Sequence, residues 1–112
     1  MQSKDLLQLA EQYGSPLYVY DAAKIQSQYN RLSKAFSKVN KLRINYAMKA
    51  LSNVAILQLL QEMGSGLDTV SIQEVMLGLH AGYSPEKIFY TPNGVSLEEI
   101  EEVNAMGVQI NI

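Results

Sequence analysis

One pattern repeats three times after Tyr46: an apolar strand-like run, a helix-like run, a glycine, and then the next strand. A helix between consecutive strands is the connection that parallel strands require. The repeat therefore predicts an α/β fold with about four parallel strands and crossover helices. Three such units fit either a doubly wound sheet or part of a β/α barrel. The predicted strands are Leu42–Met48, Gly66–Val70, Lys87–Tyr90 and Val108–Ile112.

The helices of the repeat have recognisable starts and ends. Asn53–Met63 places its apolar residues at helical spacing, and the next two helices open with Ser-x-x-Glu capping boxes at Ser71–Glu74 and Ser96–Glu99. Gly82 and Gly107 follow these two helices, as a glycine after a helix C-terminus does. We found no low-complexity segment or linker that would divide the chain.

The first 36 residues stand outside the repeat. Ser3–Gly14 has helical apolar spacing, and Leu17–Tyr20 is a compact aromatic run that predicts a short strand. Asp21 is placed to cap a second helix, in which Ile25, Tyr29, Leu32 and Phe36 form an apolar stripe.

The glycines favour the barrel over the doubly wound sheet. A dinucleotide-binding sheet carries a G-x-G-x-x-G turn after its first strand, and this sequence has none there. Gly64-Ser65-Gly66 precedes a strand instead of opening a helix, so it predicts a turn.

Composition excludes several function classes. At 112 residues the chain has room for one domain, and nine basic against eleven acidic residues argue against a nucleic-acid surface. No apolar run approaches the roughly 18 residues of a membrane span. The absence of cysteine and a single histidine, His80, rule out a thiolate or His-rich zinc site within one chain. We expect a soluble, cytoplasmic protein without a metal.

Two predicted strand ends carry side chains suited to chemistry. Lys49 follows the first strand and Asp68 lies at the end of the second, where α/β folds place their ligands. Apolar surroundings make an ammonium costly and favour the neutral amine, which attacks aldehydes. A neighbouring carboxylate could orient that amine. The structural alternatives are a lysine that reaches into solvent and an aspartate that caps a turn.

Three other polar features have stronger structural interpretations. Glu74, as the fourth residue of a capping box, is expected to accept a hydrogen bond from the Ser71 amide. His80 suits a helix C-terminus and has no partner for metal binding. Asn93-Gly94 predicts a turn.

Five segments together resemble the diaminopimelate decarboxylase family of fold-type III pyridoxal-phosphate enzymes. Tyr46–Ala50 is similar to its Tyr-Ala-x-Lys-Ala motif, and Gly66–Glu74 to its Gly-Phe-Asp-Val-Val-Ser-x-x-Glu. Ser15–Asp21, Asn53–Leu60 and Gly107–Asn111 resemble further segments in the same order. The resemblance thus covers nearly the whole chain from Gly14 onward. One departure is Asn93-Gly94-Val95-Ser96, where the family more often has Gly-Asn-x-Lys-Ser.

The resemblance implies a cofactor, a reaction and roles for three residues. Lys49 would form the Schiff base with pyridoxal 5'-phosphate, Asp68 would lie beside the cofactor, and Glu74 would be a supporting carboxylate. The family removes a carboxylate from meso-2,6-diaminopimelate to give L-lysine. The resemblance further implies that the full-length protein acts on a small amino-acid substrate and forms a homodimer. It implies no nucleic-acid or membrane partner. Residues 1–20 would be an N-terminal helix and strand, and residues 21–112 the incomplete first half of a (β/α)8 TIM-type barrel.

The resemblance also implies that the chain is a fragment. The family enzyme is about four times as long, and its phosphate-binding loop, its ring-stacking histidine and its partner for the pyridine nitrogen would lie beyond Ile112. We expect the isolated chain to be inactive. We also expect its leucine, isoleucine and valine strand side chains to meet water, because half of the barrel interior is missing.

Three alternatives remain open on sequence. One is another fold-type III decarboxylase, acting on ornithine, arginine or carboxynorspermidine. The second is a non-catalytic pyridoxal-phosphate-binding protein, and the third is a half-barrel that serves only in assembly.

Overall fold

The computed structural model describes residues 2–111, which form a four-stranded parallel sheet with helices packed against one face. The chain begins with two helices that precede the sheet. Strands and helices then alternate, with short 3-10 helices at Met48–Ala50 and Pro85–Lys87. The elements in chain order are α1 (Ser3–Tyr13), α2 (Ala22–Ala35), β1 (Asn45–Ala47), α3 (Val54–Glu62), β2 (Gly66–Thr69), α4 (Ile72–His80), β3 (Ile88–Tyr90), α5 (Leu97–Ala105) and β4 (Gln109–Ile110).

The order of the strands decides between the two predicted architectures. The four strands lie in the sequence β1-β2-β3-β4, and every neighbouring pair is parallel. In a doubly wound sheet, the order in which strands are added reverses at a switch point near the middle of the sheet. In a β/α barrel, each strand is added beside the previous one. The observed order is that of a barrel segment.

The two faces of the sheet have opposite character. Leu67 and Ile88 are paired in register and fully buried beneath the helices. Because side chains alternate along a strand, Asp68 and Phe89, the next registered pair, lie on the other face, which we call the open face. Asn45 and Gln109, also on the open face by register, are exposed.

This alternation corrects one expectation from the sequence. We expected apolar strand side chains to face water, but Leu67 and Ile88 are fully buried and Val108 is only 6% exposed. Their apolar side chains point toward the helices, so the missing part of a barrel interior does not uncover them. The open face is mostly polar instead.

The core lies between the sheet and helices α3, α4 and α5. Each helix contributes one fully buried apolar side chain: Leu57, Val75 and Val103. Gly78 of α4 lies against the sheet so closely that an added Cβ would be 2.7 Å from Leu67 Cδ1. A larger residue at that position would push the helix away from the strands.

Local capping fixes where the helices begin and end. Asn53 Oδ1 accepts hydrogen bonds from the N–H groups of Ala55 and Ile56, and the side chains of Ser71 and Ser96 cap α4 and α5. Glycines with positive φ follow α3, α4 and α5, as the sequence predicts for Gly82 and Gly107; the third is Gly64. Within residues 2–111, no helix has the length and apolar character needed to span a membrane.

The last predicted strand, Val108–Ile112, forms only at Gln109–Ile110, and Ile112 lies outside the described residues. Two other predicted strands differ more from the structure. No strand forms at Leu17–Tyr20, where Tyr18 is 90% exposed. Alternating aromatic and aliphatic residues favour an extended chain, but a strand also needs a neighbour to pair with. The first strand of the sheet is shorter than predicted: pairing covers Asn45–Ala47, and the chain turns into a 3-10 helix at Met48.

Candidate active site

The turn after β1 carries Lys49, and it is fixed by its neighbours. Met48 is fully buried, and its carbonyl accepts a hydrogen bond from the Leu51 N–H at 3.1 Å. Across the same turn, the Tyr46 hydroxyl donates to the Leu51 carbonyl at 3.1 Å. The backbone on both sides of Lys49 is therefore held, while the lysine projects from a short, ordered 3-10 helix.

The Lys49 side chain itself is exposed. The sequence predicts that apolar neighbours surround the Lys49 amine and disfavour its charged form. In residues 2–111, no such burial of the Lys49 side chain is found. The reason is that the chain leaves the sheet at Met48, so Lys49 lies past the strand end and not within it. The position at the strand's C-terminal end agrees with the prediction, whereas the environment does not.

Asp68 lies on β2 beside the end of β1. Its registered partner on β1 is Ala47, two residues before Lys49. The Asp68 side chain is half-buried on the open face, and its Oδ1 accepts a hydrogen bond from Thr91 Oγ1 at 3.1 Å. The structure thus brings the two predicted residues to the same edge of the sheet, at the ends of neighbouring parallel strands.

Glu74 caps the start of α4, but not in the way the sequence predicts. Its Oε2 accepts a hydrogen bond from the N–H of Val70 at 2.8 Å, whereas a capping box predicts the N–H of Ser71. The other half of the box forms as expected, with the Glu74 N–H donating to Ser71 Oγ at 3.3 Å. Glu74 therefore holds the backbone directly after β2, two residues from Asp68.

Glu99 and Thr91 are residues that the sequence reasoning did not assign to the site. Glu99 Oε1 accepts hydrogen bonds from the N–H of Ile72 at 3.0 Å and from the Tyr90 hydroxyl at 2.6 Å. The Thr91 N–H donates to the Thr69 carbonyl at 2.8 Å, next to the bond from its hydroxyl to Asp68. Three of these four contacts join residues more than 20 positions apart in the chain. Local sequence patterns carry no signal for contacts at that separation.

His80 and Asn93-Gly94 behave as ordinary surface residues. His80 is exposed in the last turn of α4, where its side chain suits the helix dipole. Gly94 has a φ of +68°, consistent with the predicted turn at Asn93-Gly94.

On the open face, the Arg43 guanidinium stacks 4.7 Å from the Phe89 ring centroid and donates to the Glu86 carbonyl at 2.7 Å.

Tyr90 gives the region around Glu99 a pH dependence. Burial, followed by the hydrogen bond to Glu99 and the charge of that carboxylate, raises the pKa of Tyr90 to about 12. A proton held more tightly in the folded state stabilises the fold below the unfolded pKa, and this contribution is lost as pH rises through the folded pKa.

We therefore expect the free energy of unfolding to fall as pH rises from about 10 to about 12. The free energy of unfolding of the Tyr90→Phe variant should fall less over this range. Some fall should remain, because burial also raises the pKa of Tyr83 to about 12. Urea titrations across the range measure the effect. Tyr18→Phe, at an exposed tyrosine, is the matched control, and equal falls for the two variants would contradict the assignment to Tyr90.

A groove of about 590 Å³ lies beside β1, between α2 and α3. Its lining is mostly apolar, with Ile25, Tyr29, Tyr46 and Leu51 among the residues, and Lys24 is the only cationic side chain among the described residues that line it. A phosphate-bearing cofactor needs several N–H or cationic donors around its phosphate. The strand ends bring a primary amine, Lys49, and a carboxylate, Asp68, to one edge of the sheet, and this pair of reactive groups makes them the better candidate for an active site.

The model of the family described as "Pyridoxal-dependent decarboxylase, pyridoxal binding domain" matches residues 22–112. The chain belongs to this family. Its relatives include the diaminopimelate decarboxylase of Methanothermobacter thermautotrophicus, 42% identical over 109 residues, which are 96% of this chain and 26% of that protein. The Bacillus subtilis diaminopimelate decarboxylase is 43% identical over 97 residues, covering 86% of this chain and 22% of that protein.

Solved structures of this decarboxylase family share the fold. The diaminopimelate decarboxylase of M. jannaschii, crystallised in co-complex with L-lysine, superposes with a TM-score of 0.87 at 32% identity, over 96% of this chain and 26% of that one. The chain thus spans about a quarter of the length of the relatives it matches, and its four strands correspond to an N-terminal part of the decarboxylase barrel.

The residues present fit one end of the family's cofactor. Lys49 offers a solvent-accessible primary amine, the group that condenses with the aldehyde of pyridoxal phosphate, and Asp68 offers a carboxylate on the adjacent strand. The turn between Tyr46 and Leu51 holds the lysine backbone without covering its side chain. The amine and the carboxylate thus lie at the ends of neighbouring strands, at one edge of the sheet.

Proposed function

We propose that this chain is the part of a diaminopimelate decarboxylase that carries the cofactor lysine, with Lys49 in that role. The observation that carries the proposal is the position of Lys49 in the Tyr46–Ala50 motif, at a parallel strand end, within a pyridoxal-binding family domain. Identities of 42% and 43% to two enzymes named diaminopimelate decarboxylase support this substrate over ornithine or arginine.

The whole enzyme would remove a carboxylate from meso-2,6-diaminopimelate and release L-lysine, the last step of lysine biosynthesis. Bound pyridoxal 5'-phosphate supplies the electron sink for that reaction. The co-complex of the M. jannaschii relative with L-lysine supports a diamino acid as the ligand class. The same proposal includes a homodimer and a cytoplasmic location. It also includes the division of the chain into an N-terminal segment, residues 1–20, and a barrel segment, residues 21–112.

Each of the three residues has a distinct part in this proposal. Lys49 would hold the cofactor through its side-chain amine, the group that reacts with aldehydes. Asp68, on the neighbouring strand at the same edge of the sheet, would orient that amine through its carboxylate. Glu74 keeps the backbone after β2 in place through its bond with the Val70 N–H, so it supports the position of Asp68 without touching the cofactor.

Reductive labelling tests the assignment of Lys49. The chain is incubated with a limiting amount of pyridoxal 5'-phosphate, reduced with borohydride and digested, and the labelled peptides are identified by mass spectrometry. We expect Lys49 to carry the largest share of label. The other lysines are internal controls, and a different preferred lysine, or equal labelling of all, would contradict the proposal; they are Lys4, Lys24, Lys34, Lys38, Lys41 and Lys87.

A further inference from the structure

We propose that Glu99 is a positioning residue, which ties α4 and β3 to α5 and thereby holds Asp68 in place at the strand ends. This inference rests on the proposed function, since the position of Asp68 matters for cofactor capture only if Lys49 binds the cofactor. Glu99 does not contact Lys49 or Asp68 in any hydrogen bond of the described chain, so its effect would pass through the neighbours that it holds.

The carboxylate of Glu99 joins three elements at one oxygen. Its Oε1 accepts from the Ile72 N–H at 3.0 Å and from the Tyr90 hydroxyl at 2.6 Å. Ile72 is the first residue of α4, where the N–H groups have no acceptor within the helix. Both donors are on buried residues, Ile72 at 8% exposure and Tyr90 at 0%, so losing the acceptor would leave them without water as a replacement.

Each of the two donors is linked to Asp68 by a short stretch of chain or by a neighbouring hydrogen bond. Tyr90 immediately precedes Thr91, whose hydroxyl donates to Asp68 Oδ1 and whose N–H donates to the Thr69 carbonyl. A short connection joins β2, the strand that carries Asp68, to Ile72 at the start of α4. Glu99 therefore fixes the backbone after Asp68 along the chain and the threonine that binds Asp68 from the next strand.

The local sequence alone would use Glu99 differently. In a capping box, the glutamate accepts from the N–H of its own helix's first serine, here Ser96. The Ser96 hydroxyl does accept from the Glu99 N–H, at 3.3 Å, but the carboxylate turns to Ile72 and Tyr90. A side chain that bonds two other elements instead of its own helix acts on their relative position.

The test measures the initial rate of pyridoxyl labelling at Lys49 by pulsed borohydride reduction. Glu99→Ala removes the acceptor, and we expect the rate to fall roughly tenfold, since small displacements of reacting groups cost rates of this size. Glu99→Gln keeps an acceptor oxygen in the same place, so its rate should stay within about twofold of the unsubstituted chain. Glu102→Ala, an exposed glutamate on the same helix, is the matched control.

Two further variants separate positioning from a loss of stability. Val103→Ala weakens the packing of α5 without touching the Glu99 bonds, and we expect its labelling rate to be unchanged below its melting temperature. Thr91→Val breaks the bond to Asp68, and combining it with Glu99→Ala should cause no further loss, because both act through one residue.

Each possible result has a defined meaning. Normal labelling of the Glu99→Ala variant, or an equal loss in the Val103→Ala variant, would overturn the inference and leave the proposed function intact. Independent, multiplicative losses from Thr91→Val and Glu99→Ala would overturn the route through Asp68. Failure of the unsubstituted chain to take label at Lys49 would contradict the proposed function, and the inference with it.

Discussion

Replacing Lys49 by arginine is expected to abolish selective labelling by pyridoxal 5'-phosphate. Arginine keeps the positive charge and most of the length of the side chain, but its guanidinium does not lose a proton near neutral pH and so does not attack the aldehyde. Because Lys49 is exposed and the turn is held by Met48, Tyr46 and Leu51, the substitution should leave the fold unchanged.

The measurement is the total label retained after borohydride reduction at limiting cofactor, beside a thermal melt. We expect the label to drop roughly tenfold in Lys49→Arg, because only unselective reaction at other lysines remains. Lys38→Arg, another exposed lysine-to-arginine change, should keep both the label and its location. Retention of most label in Lys49→Arg would show that another lysine captures the cofactor.

Gly66→Ala is expected to cause the largest loss of stability. A Cβ at this position would lie 2.8 Å from the Lys87 carbonyl oxygen, and it would also overlap the side-chain oxygen of Asn45. Gly66 pairs with Asn45 in the sheet and lies between the buried residues Ser65 and Leu67, so the backbone has little room to retreat. We expect a loss of about 3 kcal/mol in the free energy of unfolding.

A second variant distinguishes the two closest of the three contacts at Gly66, the third being with Arg43 Nε at 3.0 Å. Asn45→Ala combined with Gly66→Ala removes the clash with the flexible side chain but keeps the clash with the Lys87 carbonyl, which belongs to the backbone. The double variant should therefore recover only part of the lost stability in a urea titration. Full recovery would show that the Asn45 side chain is the whole obstacle, and no loss in the single variant would show that the strands separate easily.

Periodicity and capping were sufficient to predict most of the architecture. Helical spacing located α3, and serine caps located the starts of α4 and α5, because these signals act within one or two turns. The predicted strand at Leu17–Tyr20 is wrong because a strand depends on a partner that local sequence does not specify. The strand order also depends on tertiary packing, and sequence left it open.

The candidate site was predictable in position more than in environment. Strand-end reasoning found Lys49 and Asp68, and the structure places both at one edge of the sheet. It did not foresee that the chain turns away at Met48 and leaves the lysine exposed. The bonds of Thr91 and Glu99 were missed because they connect neighbouring strands and helices, and one-dimensional spacing carries no record of such pairs.

The sequential strand order also shapes how such a chain can be built during synthesis. The paired residues of neighbouring strands are only 20 or 21 positions apart, so each pairing closes one short loop. Low sequence separation between contacts favours fast folding, and synthesis delivers the chain from its N-terminus. Each strand after β1 is therefore synthesised when the neighbour it pairs with already exists, and no pairing has to wait for a distant part of the described chain.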